Sequence, residues 1–384
     1  MADIIQELFI NPPIAVARLG GGSTPQDAYR WAEPPNPRSS GETVVMPDWS
    51  LTVEADGSVT PRMPGALRFR DGALIRPVAP FFEVWARIGA KGSEAANWRD
   101  VPLTPALLAA HGVALADVRF RITAINGKAA RRTGDQSLRF GTFPPVELRA
   151  NNNRSVPLLA SSPPGTARPM IPPTRNIPLG SVQVIRSRPQ PAVGSTLWAD
   201  LVNIEVLRLR FTPARGHVYG PPASAQPQQA PSGARMAPVD ATRAFLDAQA
   251  GWANARFNPP DAPGDTYDGS DVADDRSLGV VDDTCEARIE VSFALPRQNA
   301  RVVSATSTVF VAPPDFAPDR RPFLSLADEL NDRTADSVAR NAAMTGTDRD
   351  AWVEDLFERI QETVALLNVD LYRSLRAADR KSVV

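Results

Sequence analysis

Val118-Arg119-Phe120-Arg121-Ile122-Thr123-Ala124-Ile125, closing on Asn126-Gly127, is the stretch that decides the fold. Val118, Phe120, Ile122 and Ala124 fall at every second position, the period of a strand with one face toward a core, and Asn-Gly supplies the turn that ends it. The same grammar recurs upstream. Phe81 to Ile88 is a strongly apolar strand, and Asp56-Gly57 and Asp71-Gly72 mark tight turns between short runs of β-formers. Residues 9–20 read as a strand entered through Pro12-Pro13 and closed by Gly20-Gly21-Gly22. Downstream, Val182–Ile185, Val202–Phe211, Ala287–Leu295 and Val302–Ala312 are further strands, and residues 141–195 are otherwise loop-rich. Thr104 before Pro105 caps a brief helix through Ala110, and Asp240–Ala255 has helical spacing through Phe245, Ala248 and Trp252. The expectation is a mainly β (α+β) fold, with short-strand sheets or sandwiches, long Pro-rich loops and a C-terminal helical segment.

Composition bounds the rest. With 384 residues the chain is long enough for more than one core. The expected units are 1–140 and 141–320, both β-rich, and 321–384, helical. The second carries a Pro-rich loop at 220–237 and an acidic loop at 261–283. Thirty-eight prolines are about twice the usual ~5% share, which implies many fixed loops. Hydrophobic and charged fractions of 43% and 22% are ordinary for a globular chain. No run of eighteen apolar residues offers a membrane span, and the acids near Met1 do not suit a secretory signal, so the expected location is cytoplasmic. Forty-two basic residues against 43 acidic ones, spread along the chain, argue against nucleic acid as a partner.

The single cysteine, Cys285, excludes an internal disulfide framework and a zinc site of several thiolates. Eight aspartates between 261 and 283 include Asp265, Asp268 and Asp271, whose oxygens could meet a hard cation such as calcium. The spacing does not fit a twelve-residue EF-hand loop, and a solvated acidic loop is the plainer reading. His111, at a helix end beside Gly112, and His217, in a turn, are too far apart in sequence to suggest a metal triad. Gly20-Gly21-Gly22-Ser23 lacks the lysine of a phosphate loop, and no Gly-x-Ser-x-Gly elbow is present. From about Asp348 to Leu375 the apolar residues Val353, Phe357, Ile360, Val364, Leu367 and Leu371 recur every three or four positions as one helical stripe. The stripe either packs on the protein's own sheet or serves as an interface for a protein partner or a second copy.

Four collinear segments resemble the N-terminal half of the lysine epsilon-oxidase family, amino-acid oxidases that carry cysteine tryptophylquinone. They are Pro13–Gly20, Ile75–Trp85, Ile122–Ala130, and Val281–Cys285 joined to Val311–Pro318 and the helix at Leu324-Ser325-Leu326. The resemblance covers residues 9 to about 332. It implies a shared scaffold and no more, because the family's quinone cysteine, modified tryptophan and catalytic acids lie in a C-terminal half without a counterpart here. No catalytic residue is carried over, and Cys285 falls where that family needs no thiol. Cys285 is then a candidate for cofactor binding only if one of the chain's tryptophans lies beside it; a small buried residue at a strand start is the alternative.

The expected function is a non-catalytic binding or assembly protein without a cofactor, related to that scaffold. The alternative is one subunit of a split amine or amino-acid oxidase whose quinone sits on a partner chain. A stand-alone enzyme of other chemistry is the third reading.

Overall fold

A computed structural model describes residues 3–32, 44–189, 202–222, 239–247, 249–250, 280–314, 342 and 344–366. In chain order the strands begin with β1 (Ile4–Asn11) and β2 (Ile14–Arg18), followed by β3 (Tyr29–Ala32), β4 (Val44–Pro47), β5 (Ser50–Val53) and β6 (Val59–Arg62). Next come β7 (Arg70–Asp71), β8 (Leu74–Ile75), β9 (Phe81–Gly89) and β10 (Arg99–Pro102). After helix α1 (Pro105–Ala110) come β11 (Arg119–Asn126), helix α2 (Lys128–Thr133), β12 (Phe140–Gly141), β13 (Val146–Arg149), β14 (Val156–Ala160) and β15 (Ile177–Ile185). The series closes with β16 (Arg208–Pro213), β17 (Val218–Tyr219), β18 (Val281–Asp282), β19 (Glu286–Leu295), β20 (Arg301–Ala312) and helix α3 (Gly346–Leu366).

Two six-stranded sheets form the body of the first compact unit. One has the order β1-β9-β16-β15-β14, with β10 also on β9; the other is β12-β11-β19-β20-β2, with β13 also on β11. Pairing is antiparallel except between β2 and β20. Alternation decides what goes inside. Phe82, Val84 and Ala86 of β9, Leu209 and Phe211 of β16, Phe120 and Ile122 of β11, and Ile289, Val291 and Phe293 of β19 share one continuous core. Two sheets each offering one apolar face therefore pack as a sandwich, and the mainly β expectation holds.

Both sheets draw strands from either side of residue 140: β9 pairs with β16, and β11 with β19. The first unit comprises Met1–Gln26, Ser50–Arg62 and Arg68–Asp315; the second comprises Asp27–Trp49, Met63–Leu67 and Phe316–Val384, and holds the β3–β4 pair and α3. A small second core forms where β5 and β6 bring Val59 against Ile185 and Ile204, with Leu51, Val53 and Phe81 beside them. The Arg188 side chain donates to the Val59 carbonyl there.

The expected cap and the first expected tight turn are both present. Thr104 caps α1, its hydroxyl accepting from Leu107 N at 3.1 Å. Asp56 accepts from Ser58 N at 2.9 Å in the turn between β5 and β6, where Gly57 takes a positive φ of 80°. Three expectations need correction. Residues 202–206 are not strand: Asn203 Oδ1 accepts from Glu205 N at 2.9 Å, and this turn delays β16 to Arg208. Asp240–Asp247 is not helix. Asp240 Oδ1 takes the Thr242 N–H at 2.8 Å, and Gly220 exchanges backbone hydrogen bonds with Arg243 and Leu246, so the segment folds as a turn and a bridge. Residues 141–195 hold more strand than expected, β13, β14 and the full length of β15. Gly180 sits in β15 at φ 122°, where a Cβ would meet the Thr212 carbonyl oxygen at 2.3 Å.

Candidate functional site

The end of β11 and the approach to β19 carry a cluster of buried polar side chains, Asn126, Asp282, Asp283 and Thr284. Asn126, 2% exposed, donates from Nδ2 to the Asp282 carbonyl at 3.1 Å and to Asp282 Oδ1 at 3.2 Å. Its own Oδ1 accepts from Lys128 N at 3.0 Å, which opens α2 and brings the ammonium round to Asp282 Oδ2 at 2.5 Å. Thr284 donates its hydroxyl to Asp282 Oδ1 at 2.7 Å. Asp282 thereby meets an ammonium, an amide and a hydroxyl.

Asp283 faces a different neighbourhood. It is fully buried, and its two carboxyl oxygens accept from the backbone amides of Gly216 at 3.1 Å and His217 at 2.9 Å. Burial pushes its carboxyl up to about 7; the His217 amide opposes the rise and the neighbouring Asp282 charge adds to it. The sequence suggested a solvated acidic loop through residue 283. Its last two members are instead buried and bonded, because β18 pairs with β17 and draws them under the end of β11. Asp265, Asp268 and Asp271 lie outside the described residues. Among the described residues no group of three His, Cys, Asp or Glu side chains is placed to hold a metal ion.

Cys285 is 4% exposed and lies in the sandwich core, with Sγ 3.7 Å from the Leu179 carbonyl. Burial, followed by the charges of Asp283, Glu286 and Asp282, raises its thiol well above the usual range, so it stays protonated at neutral pH.

Beside this cluster a cavity of about 650 Å³ opens against His217, Tyr219, Asp240, Arg243, Phe245 and Arg175. Tyr219 meets Phe245 edge-on at 5.8 Å, and the Arg175 guanidinium lies 5.6 Å from the Phe245 ring centre. Asp240 pairs with Arg243 at 3.7 Å. Burial lowers the pKa of His217, with Arg243 and Arg215 helping, and raises the Tyr219 hydroxyl to about 12. Both are neutral at pH 7, so the arginines and Asp240 supply the charge of the wall. Such a wall suits a ligand with a flat or apolar part and a charged end. Sequence reasoning placed His217 in a turn but had no means of placing it beside Arg175 and Phe245.

On α3, Trp352, Val353 and Phe357 are exposed and Ile360 is half-buried; Val364 falls in the helix, and Leu367 and Leu371 lie outside the described residues. Among the described residues no helix is long and apolar enough to cross a membrane.

No family model and no curated protein matches the chain. Among solved structures it is similar to L-Lys epsilon-oxidase from Marinomonas mediterranea in the Schiff base intermediate with L-Lys, at 15% identity and a TM-score of 0.42, over 86% of this chain and 40% of that one. Another structure of the same oxidase gives 15% and 0.40, over 84% of this chain and 38% of that one. A third, of the epsilon-lysine oxidase, gives 14% and 0.42, over 86% and 39%. The name agrees with the family that the sequence segments resemble, and the chain spans about two fifths of those oxidases' length. At this identity and TM-score, the likeness is a distant and partial one that carries no argument about activity.

Proposed function

We propose that the chain is a non-catalytic binding or assembly protein of the cytoplasm, working without a cofactor of its own and holding its ligand in the cavity beside His217 and Tyr219. The observation that carries this reading is how the most chemistry-bearing side chains are used. Asp282 is occupied by Lys128, Asn126 and Thr284, Asp283 binds two backbone amides, and the Cys285 thiol is buried in the core. These groups tie distant segments together, while the cavity beside them is open and mixed in polarity.

A second reading has its own support. The exposed Trp352 and Phe357 of α3 suit a protein partner, as a subunit of a split amine or amino-acid oxidase would need. One purification of the full chain separates the two. An intact mass equal to the unmodified sequence, a colourless solution, no peroxide from amino acids, and thiol labelling only after unfolding are expected. Peroxide release or a visible chromophore in the isolated chain would overturn the first reading. A co-purifying chain with a covalently modified tryptophan would replace it with the second.

A further inference from the structure

On β16, Leu209 and Phe211 face the core, which turns Arg208 and Arg210 to the outer face of the first sheet. Arg208 is 3% exposed, and its Nε and Nη2 donate to Glu83 Oε1 at 2.8 and 2.6 Å. The other carboxylate oxygen of Glu83 accepts from Trp85 Nε1 at 3.1 Å. Arg208 Nη1 is buried with no hydrogen-bond partner. Two residues along, Arg210 stands opposite Phe81 in register, and its guanidinium lies 5.1 Å over that ring. Arg210 Nε is buried without a partner as well.

The charge does not close. Arg208 has the Glu83 carboxylate, whereas among the described residues no ion pair is seen for Arg210, so one positive charge and two buried donor nitrogens are left over. A buried donor without an acceptor carries its full desolvation cost, larger when charged, so native proteins seldom leave one empty. A water would serve the donors but not the charge. Strand geometry sets Arg208 and Arg210 about 7 Å apart on one face, a span that a single oxyanion can bridge. Glu83 does not repel such a guest strongly, because its charge is engaged by Arg208 and its second oxygen by Trp85. Burial pulls the Arg210 guanidinium down to about 10, which still leaves it cationic at neutral pH.

We propose that Arg208 and Arg210 form a binding site for an oxyanion, a carboxylate or a phosphate, seated between them beside Phe81 on the outer face of the first sheet. This site lies on other strands than the cavity, so it stands or falls independently of the function proposed above. The test is the melting midpoint of the full chain in chloride, titrated at constant ionic strength with inorganic phosphate in one arm and malonate in the other. The midpoint should rise and saturate in at least one arm, and which arm responds names the anion class. Arg210→Met should abolish the rise. No response in either arm, or the same response in wild type and Arg210→Met, would overturn the site. Should Arg210→Met fail to fold, Arg210→Lys keeps the charge and loses the planar fork; its half-saturating concentration should rise about fivefold or more, and an unchanged value counts against the site.

Discussion

Lys128 with Asp282, and Arg208 with Glu83, are both ion pairs drawn from distant parts of the chain, separated by 154 and 125 residues. At the first, the carboxylate is met by an ammonium, an amide and a hydroxyl, and the local charge is balanced. At the second, the carboxylate pairs with Arg208, Arg210 stands beside that pair on the same strand face, and each arginine keeps a buried donor nitrogen without a hydrogen-bond partner. The first therefore has the character of a finished structural joint, and the second that of a receptor waiting for an anion. The difference lies in stoichiometry rather than burial, since both clusters are largely out of water.

Removing charge from each cluster should expose that contrast. Glu83→Gln would strip from Arg208, 3% exposed, the carboxylate it pairs with, and should cost about 4 kcal/mol in urea unfolding. Part of that loss should return when an oxyanion is added. Asp282→Ala should cost about 3 kcal/mol, because Lys128 keeps a quarter of its side chain in water, and added phosphate should restore none of it. Equal recovery by phosphate in both variants would erase the distinction.

Asp283 gives the smallest effect and a signed one. Its folded carboxyl, near 7, lies above its unfolded value of about 4, so the native state holds the proton more tightly. Its contribution to stability is full below about pH 4 and is lost as pH rises toward 7. Wild type should therefore lose midpoint relative to Asp283→Asn across that window, and the difference should level off above pH 7. The half-buried histidines His111 and His217, whose pKa values are lowered, act in the opposite direction in both proteins and cancel in the comparison. A flat difference from pH 4 to 8 would place Asp283 in a more watery setting than its hydrogen bonds indicate.

Much of the sandwich was legible because strands announce themselves locally. Val118–Ile125 and Ala287–Leu295 were read within a residue or so of β11 and β19, since period-two alternation and Gly turns are properties of neighbours in sequence. The lapses at 202–206 and 240–247 came from Asn203 and Asp240, whose side chains compete for nearby amides and override a periodicity that was otherwise sound. The candidate site was hardly legible. Asn126, Lys128 and Asp282 were noticed in separate segments, but no local pattern says that they meet. Val202–Phe211 reads as one strand, and nothing in it says what Arg208 and Arg210 meet.

The sequence by itself determined the mainly β class, the capped helix α1, the turn glycines and the lack of a disulfide within the chain, all of which follow from short-range sterics, hydrogen bonding and composition. Only the tertiary structure decided that Asp282 and Asp283 leave water, that Cys285 lies buried in the core, and that Arg208 and Arg210 each keep a buried donor nitrogen without a hydrogen-bond partner. Desolvation and charge balance depend on which strands come to lie against one another. Partners more than a hundred residues apart settle that, and they are not adjacent in any sequence window.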